Sequence, residues 1–168
     1  MDAAIVFLPL VGAFLAGFFG RQLGDRGSQF VTCGALVLSA VLACVTFSNV
    51  ALGHAPRTTE IFTWIASGKL DLSWSLRVDT LTAVMLVVVT VVSSVVHIYA
   101  VGYMSEDKSK PRFMAYLSLF TFFMLMLVTS ASLVQMFFGW EGVGLASYLL
   151  IGFWFDRPSA NAAAIKAF

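Results

Sequence analysis

A single carboxylate lies in the middle of an apolar stretch, in the sequence FFGWEGVGLASYLLIGFWF at residues 137–155. The position of Glu141 is unusual because a charged group halfway across a bilayer is costly unless it is paired, hydrated or protonated. Burial favours the protonated carboxyl and a nearby cation favours the ionised one, so a glutamate subject to both can exchange a proton near neutral pH. We therefore predict proton transfer at Glu141, and the alternative is a permanently protonated side chain that hydrogen-bonds between helices.

His97 is a second candidate for proton transfer. It lies roughly 27 Å along a helix from Asp79, which places it near the far boundary of the same span. An imidazole at this boundary could relay protons between water and the helix bundle, because its unperturbed pKa is near neutrality. An interfacial histidine that hydrogen-bonds to lipid headgroups, beside Tyr99 and Tyr103, explains the residue equally well.

Two further charged residues lie close to the ends of predicted helices. Asp79 opens a span, where an acidic residue caps a helix N-terminus without any other function; a carboxylate at an outer mouth could also serve proton exit. Lys166 lies in the final segment AAAIKAF. It either forms a buried cation site or extends along the helix to reach the membrane surface.

The composition predicts the environment that these residues occupy. Hydrophobic residues make up 60% of the 168 residues and charged residues only 11%, whereas soluble domains have about 25% charged residues. The chain is therefore predicted to be an integral membrane protein, and its net charge of +1 argues against nucleic acid as a partner. It contains no Gly-rich phosphate loop, cysteine cluster or histidine pair, so we predict no cofactor and no metal in this chain.

The apolar segments predict an all-α polytopic membrane protein that forms one membrane domain over residues 1–168. Residues 112–155 would make a helix of about 66 Å, twice the thickness of the bilayer core, so a turn is expected near 129–132. Residues 21–27 are predicted to be a polar turn, with Ser28 as the following N-cap. The predicted helices are residues 3–20, 29–52, 79–104, 112–128 and 132–155, with a sixth that begins at 161–168. A chain that ends two turns into a helix suggests the amino-terminal part of a longer subunit.

A β-hairpin is predicted at about residues 60–78, between the second and third helices. Apolar and polar residues alternate strictly over residues 70–79, which is a strand pattern. Open strand edges are not tolerated in lipid, so the hairpin should lie on the outer surface with its apolar face against the helix ends.

The positive-inside rule predicts the orientation. With the N-terminus outside, six basic residues lie on the inner side and three on the outer side. The inner residues are Arg21, Arg26, Lys108, Lys110, Arg112 and Arg157, and the outer ones are Arg57, Lys69 and Arg77. The predicted location is a bacterial inner membrane with an outer, periplasmic N-terminus.

Helical spacing predicts which face of the fifth helix matters. Glu141 shares a face with Gly144 or Leu145, Tyr148 and Gly152, and this face is expected to point into the bundle. Small residues around the glutamate should let another helix approach closely. They are Gly139, Gly142, Gly144, Ala146 and Gly152.

The stretch FFGWEGVGLASYLLIGFWF resembles the subunit L family of the proton-translocating NADH:quinone oxidoreductase, respiratory complex I. The segments LRVDTLTAVML, HIYAVGYM, PRFMAYLSLF and AAAIKAF match in order and spacing, so the resemblance covers essentially the whole chain. It implies an antiporter-like subunit in which Glu141 pairs with a lysine on a later, broken helix and takes part in proton translocation. It also implies that Lys166 and His97 lie in polar regions of the half-channel.

The resemblance further implies the surroundings of the chain. Its partners would be other membrane-arm subunits, with the hairpin contacting a neighbouring antiporter-like subunit. NADH, FMN, iron–sulfur clusters and quinone would be bound by other subunits. Two alternatives remain open: the large subunit of a multisubunit sodium/proton antiporter, and a non-transporting membrane scaffold.

Overall fold

The computed structural model describes residues 1–53, 56–68 and 70–168, so Lys69 of the orientation argument lies outside the described residues. The fold is mostly helical with one antiparallel hairpin, which confirms the predicted class. The helices are α1 (Asp2–Phe18), α2 (Gly20–Phe47), α3 (Thr80–Tyr103), α4 (Lys110–Thr129), α5 (Leu133–Ile151) and α6 (Pro158–Ala167). The strands are β1 (Arg57–Ser67) and β2 (Leu70–Val78), and a π-helical turn, Ser48–Leu52, follows α2.

Four helices among the described residues, α2 to α5, are long and apolar enough to cross a membrane. The fifth apolar helix, α1, has 17 residues and contains Pro9. These helices support the prediction of a multi-pass membrane protein.

The segment predicted as a polar turn at residues 21–27 is largely helical. The helix is interrupted only at Gly24, whose φ of 68° is a conformation that glycine adopts without the steric clash of a Cβ atom. Ser28 lies inside α2 and is buried, instead of capping the helix as predicted. Lys110 Nζ holds the segment by an ion pair with Asp25 Oδ2 at 3.0 Å.

The helix α4 is the centre of the bundle. It packs against α1, α2, α3 and α5, whereas α6 packs on α5. The buried core is formed by α1, α2, α3, α4 and β2 and includes Ile5, Val6, Leu86, Leu125 and Met126, all at most 1% exposed. Because the bundle is built around α4, side chains on its different faces meet different helices.

The hairpin lies at the end of the bundle that contains the start of α1 and the turn between α4 and α5. Trp74, Leu76 and Val78 of β2 are buried, so these apolar residues do face the helix ends as predicted. An isolated bridge between Leu76 and Ser130 attaches β2 to the α4–α5 turn. The first strand starts earlier than the predicted residue 60, and most of it is exposed.

A bidentate ion pair also attaches the hairpin to the first helix. Arg57 donates from Nε to Asp2 Oδ2 at 2.6 Å and from Nη2 to Asp2 Oδ1 at 2.5 Å. Asp2 is only 5% exposed, and its hydrogen bonds raise the pKa of the Arg57 guanidinium. The pair joins residues 55 positions apart in the sequence and fixes β1 over the start of α1.

Candidate functional site

The helix that carries Glu141 begins at a side-chain cap and packs closely on α4. Ser132 Oγ accepts the Gln135 backbone N–H at 3.2 Å and so satisfies a free donor at the start of α5. A Cβ atom at Gly139 would lie 2.7 Å from the Leu127 backbone nitrogen, so only glycine fits at this contact. The predicted close approach of a second helix therefore occurs, and that helix is α4.

Glu141 itself lies on the other side of α5. The glutamate is exposed, and Leu145 and Tyr148 beside it are 45% and 39% exposed. The buried residues of α5 are instead Gln135, Gly139, Gly142 and Ala146. The predicted inward orientation is therefore not found within this chain: Gly139 and Gly142 pack on α4, whereas Glu141, Leu145 and Tyr148 are exposed.

An open, mostly apolar cavity of about 260 Å³ lies beside the carboxylate. Its walls come from α4, α5 and the end of α6, and they include Phe123, Phe138, Glu141, Gly142, Leu145 and Phe168. Phenylalanine rings stabilise no charge by hydrogen bonds, so this cavity suits either a protonated carboxyl or a cation that enters beside it.

Lys166 does not form an ion pair with Glu141 in the part of the chain that the structure describes. It is exposed in the last turn of α6. The ion pairs among the described residues are Arg57–Asp2, Arg77–Asp79 and Lys110–Asp25. The structure thus brings the end of α6 to the Glu141 cavity through Phe168, whereas Lys166 stays outside it.

His97 is buried between α3 and α4 with an exposed fraction of 0%. Its Nδ1 lies 2.8 Å from the Ser93 carbonyl oxygen, which can only accept, so Nδ1 carries a hydrogen. Its Nε2 lies 2.9 Å from Ser118 Oγ. In the neutral ring Nε2 therefore accepts the hydroxyl hydrogen, and this is the only ring nitrogen that can take up a proton. Burial contradicts the alternative of a histidine bonded to lipid headgroups.

A hydroxyl pair lies next to His97 in the same interface. Ser93 Oγ and Thr121 Oγ1 are 2.9 Å apart, and Thr121 is also buried. This α3–α4 interface is separated from the Glu141 cavity by α4, because Ser118 and Thr121 face α3 whereas Phe123 faces α5. The two protonatable residues are therefore not brought together within this chain.

Asp79 caps α3, as one of the two interpretations predicted. Its Oδ1 accepts the Thr82 backbone N–H at 2.9 Å, and its Oδ2 lies 3.2 Å from Arg77 Nη2. The Thr82 N–H is the largest cause that lowers the pKa of the Asp79 carboxyl, with Arg77 adding a smaller effect in the same direction. A carboxylate held in its ionised form suits a cap better than a group that must exchange protons at neutral pH.

Gln135 is a polar residue that the sequence showed only as an interruption of an apolar run. It is 1% exposed, and its Oε1 accepts the Ser75 backbone N–H of β2 at 3.1 Å. Its Nε2 atom is buried with no hydrogen-bond partner among the described residues. A lone amide in a membrane span could have indicated a buried hydrogen bond to another element. Its partner, Ser75 of the hairpin, lies 60 positions away in the sequence and could not be identified from it.

Two family profiles match this chain. A profile described as the N-terminus of chain 5 of NADH-ubiquinone oxidoreductase (complex I) matches residues 64–114, and one described as NADH:quinone oxidoreductase/Mrp antiporter, TM, matches residues 130–168. The second match contains Glu141 and Lys166.

Curated relatives match over the whole chain. NADH-ubiquinone oxidoreductase chain 5 of Marchantia polymorpha is 57% identical over 99% of the chain and 25% of the relative. NADH-quinone oxidoreductase subunit L of Rhodobacter capsulatus is 54% identical over 100% of the chain and 24% of the relative. The chain belongs to this family. It spans about a quarter of the length of these relatives.

The fold of this member of the chain 5 and subunit L family also occurs in a distant solved structure. A chain of the membrane-bound sulfane sulfur reductase, an archaeal respiratory membrane complex, superposes with a TM-score of 0.80. The match covers 99% of this chain and 33% of the other at 17% identity, so it shows a shared fold. The helix order and the hairpin are thus one architecture common to both.

Proposed function

We propose that this chain forms the amino-terminal part of a proton-translocating membrane-arm subunit of NADH:quinone oxidoreductase. Similarity over the whole chain to chain 5 and subunit L supports this assignment. The observation that supports proton translocation by a particular residue is the position of Glu141. It lies in the middle of the span α5, on an outward face beside an apolar cavity. A carboxylate at such a position is a candidate for ion handling in a membrane protein.

The proposed step is an electrostatic one at Glu141. A cation that approaches the carboxylate stabilises its ionised form, and withdrawal of the cation leaves the carboxylate in an apolar environment that favours proton uptake. The cavity walls contribute five residues without charge, so the position of one cation would dominate the balance. We propose that this cation is a lysine outside residues 1–168.

The other predicted residues have subordinate places in this proposal. His97 is a separate protonatable group in the α3–α4 interface, with Nε2 and the Ser118 hydroxyl as the pair that would exchange a proton. Lys166 would act only if α6 turns its last residues toward Glu141. Asp79 is retained as a helix cap.

The surroundings of the subunit are part of the same proposal. NADH oxidation through FMN and iron–sulfur clusters, and quinone reduction, would take place on other subunits of the complex. Neighbouring membrane-arm subunits, one of them antiporter-like, would be the partners, and the hairpin would contact one of them. The membrane would be a bacterial inner membrane with the N-terminus on its outer side.

A second candidate function is the large subunit of a multisubunit sodium/proton antiporter. The profile that matches residues 130–168 is described as covering Mrp antiporters as well as NADH:quinone oxidoreductase, and this region contains Glu141. The same carboxylate chemistry would serve exchange of sodium for protons.

The test is NADH-driven proton pumping in membrane vesicles that contain the full-length chain with Glu141→Gln. The amide keeps the size of the side chain and cannot exchange a proton at neutral pH, so we expect most of the pumping to be lost while the complex still assembles. The matched control is Glu106→Gln, because Glu106 is an exposed carboxylate outside the helices. It should pump like the parent.

The other outcomes distinguish the alternatives. Normal pumping by an assembled Glu141→Gln complex would contradict the proposal and support the scaffold function. NADH-linked activity that is unchanged when the whole chain is deleted, together with loss of sodium/proton exchange, would support the antiporter.

A further inference from the structure

A wide open groove lies where α1 ends and α4 begins, at the opposite end of the bundle from the hairpin. Its volume is about 720 Å³, and it lies between the last turn of α1, the Gly24 break in α2 and the first turns of α4. This end of the bundle also holds the six basic residues that were predicted to face inward. The groove is far from Glu141 and is not used by the proposed proton step.

The mouth of the groove is basic. Arg21, Lys108 and Arg112 line it, and Arg21 and Lys108 are exposed. The one acidic residue in the lining, Asp25, is already paired with Lys110 at 3.0 Å. A nearby acid outside the lining, Asp107, accepts hydrogen bonds from Trp154 Nε1 and the Ser109 backbone nitrogen. Arg112 Nη2 donates to the Phe153 carbonyl at 3.1 Å, and its guanidinium lies over the Phe153 ring. Arg21 and Lys108 form no ion pair among the described residues, so they are the two cations that remain at the mouth.

The floor of the groove is apolar and made of small residues. Ala16, Gly17 and Ala115 line it, and a Cβ atom at Gly17 would lie 3.6 Å from the Ala115 Cβ. The next glycine, Gly20, contacts Pro111 so closely that a Cβ there would lie 2.8 Å from the proline Cβ. Ala16 and Ala115 are buried where α1 packs on α4, whereas Gly17 and Phe14 are exposed on α1. An apolar surface of α1 therefore continues from the basic mouth into the span.

We propose that this groove binds an anionic phospholipid, with the phosphate at Arg21 and Lys108 and an acyl chain along the exposed surface of α1 at Gly17 and Phe14. The pattern fits an amphiphile, because two cations lie at the level where α4 begins and the exposed apolar surface of α1 continues from them into the membrane. Basic pockets between helices at a membrane surface bind anionic headgroups, and each basic residue near the surface contributes about fivefold in affinity. The two cations therefore favour an anionic headgroup, and the apolar surface of α1 favours a lipid over a soluble anion.

The experiment uses the complex that contains the full-length chain, in vesicles of roughly four parts phosphatidylcholine to one part phosphatidylglycerol. A trace of photoreactive phosphatidylglycerol or phosphatidylcholine with the same diazirine-bearing acyl chain is added, and adducts are mapped by peptide mass spectrometry. We expect phosphatidylglycerol to label the groove helices several-fold more than phosphatidylcholine does. Arg21→Gln and Lys108→Gln should each reduce the preference about fivefold.

The matched control is Arg26→Gln, which removes one positive charge from the same segment at a residue that does not line the groove. It should leave the preference unchanged. Equal labelling by the two lipids, or an equal loss of preference in Arg26→Gln, would overturn the proposal. So would absence of lipid labelling in the groove, or loss of the preference when inorganic phosphate replaces chloride at equal ionic strength.

Discussion

Gly139 sets the distance between α4 and α5 next to Glu141. A Cβ atom there would lie 2.7 Å from the Leu127 backbone nitrogen and 2.8 Å from its Cα atom, and a backbone cannot move aside as a flexible side chain can. At Gly144, which lies five residues later on the same helix, an added Cβ would meet no atom within 4 Å. The two glycines therefore separate a packing effect from an effect of helix propensity.

We expect Gly139→Ala to destabilise the protein by about 1–3 kcal/mol, because the two helices must separate to admit the methyl group. Gly144→Ala should instead be neutral or stabilise by up to about 1 kcal/mol through its higher helix propensity. Denaturant unfolding of the purified full-length chain in detergent measures both. A Gly139→Ala protein as stable as Gly144→Ala would contradict the close contact.

The presence of Glu141 in a span could be predicted from the sequence, but the direction of its side chain could not. A single charged residue in an apolar run is evident from the sequence. The sequence does not show which face of a membrane helix contacts protein, because lipid is as apolar as a protein interior and hydrophobicity does not distinguish a lipid-facing from a protein-facing surface. The contact at Gly139 depends on Leu127 of another helix, which helical spacing within α5 does not reveal. The spacing therefore predicted that Glu141 and the glycines around it all face the bundle.

At the scale of the element, α3 depends on the cap that Asp79 provides. The Thr82 N–H lowers the pKa of the Asp79 carboxyl, so the folded pKa lies below the unfolded value of about 3.9. The stabilisation from this ionised cap is therefore present above the unfolded pKa and is lost as the pH falls through the folded pKa.

We expect Asp79→Ala to cost about 1 kcal/mol at neutral pH, the usual loss for an N-cap. The difference from the parent should begin to shrink as the pH falls below the unfolded pKa of about 3.9, and should shrink further as the pH falls through the lower pKa of the folded carboxyl. Asp79→Asn keeps an oxygen acceptor for the Thr82 N–H and should cost less, with no such dependence on pH. Unfolding measured over this pH range tests the sign, and an alanine variant that equals the parent at neutral pH would contradict the cap.

The hairpin shows how far an element can be predicted from its own pattern. The alternation of β2 identified the strand and its buried residues, of which Trp74, Leu76 and Val78 meet the helix ends. Nothing in β1 indicated that Arg57 would pair with Asp2, because the partner belongs to another element. The helical course of residues 21–27 was missed for a related reason: glycines and charges indicated a turn, whereas only Gly24 leaves the helical conformation.

At the scale of the whole molecule, the outward face of α5 requires a cover. Glu141, Leu145 and Tyr148 are exposed in this chain, and a carboxylate that faces lipid in the middle of a span would be strongly unfavourable. The exposed valines of α3, such as Val92 at 56%, have no polar neighbour of this kind and suit lipid directly. The Glu141 face of α5 and the valine face of α3 are both exposed in this chain, but only the valine face is stable in contact with lipid.

We expect a fluorescent label at Leu145→Cys in the assembled complex to be quenched weakly by brominated lipids, because another segment or subunit covers the Glu141 face. The same label at Val92→Cys should be quenched strongly, because that face of α3 meets lipid. Both variants carry Cys33→Ala and Cys44→Ala so that the new thiol is the only one within residues 1–168, and labelling of the parent with the same two substitutions is subtracted as background. Equal quenching at the two positions would mean that Glu141 faces lipid, and the carboxylate would then have to be protonated throughout, which is incompatible with its proposed pairing to a lysine.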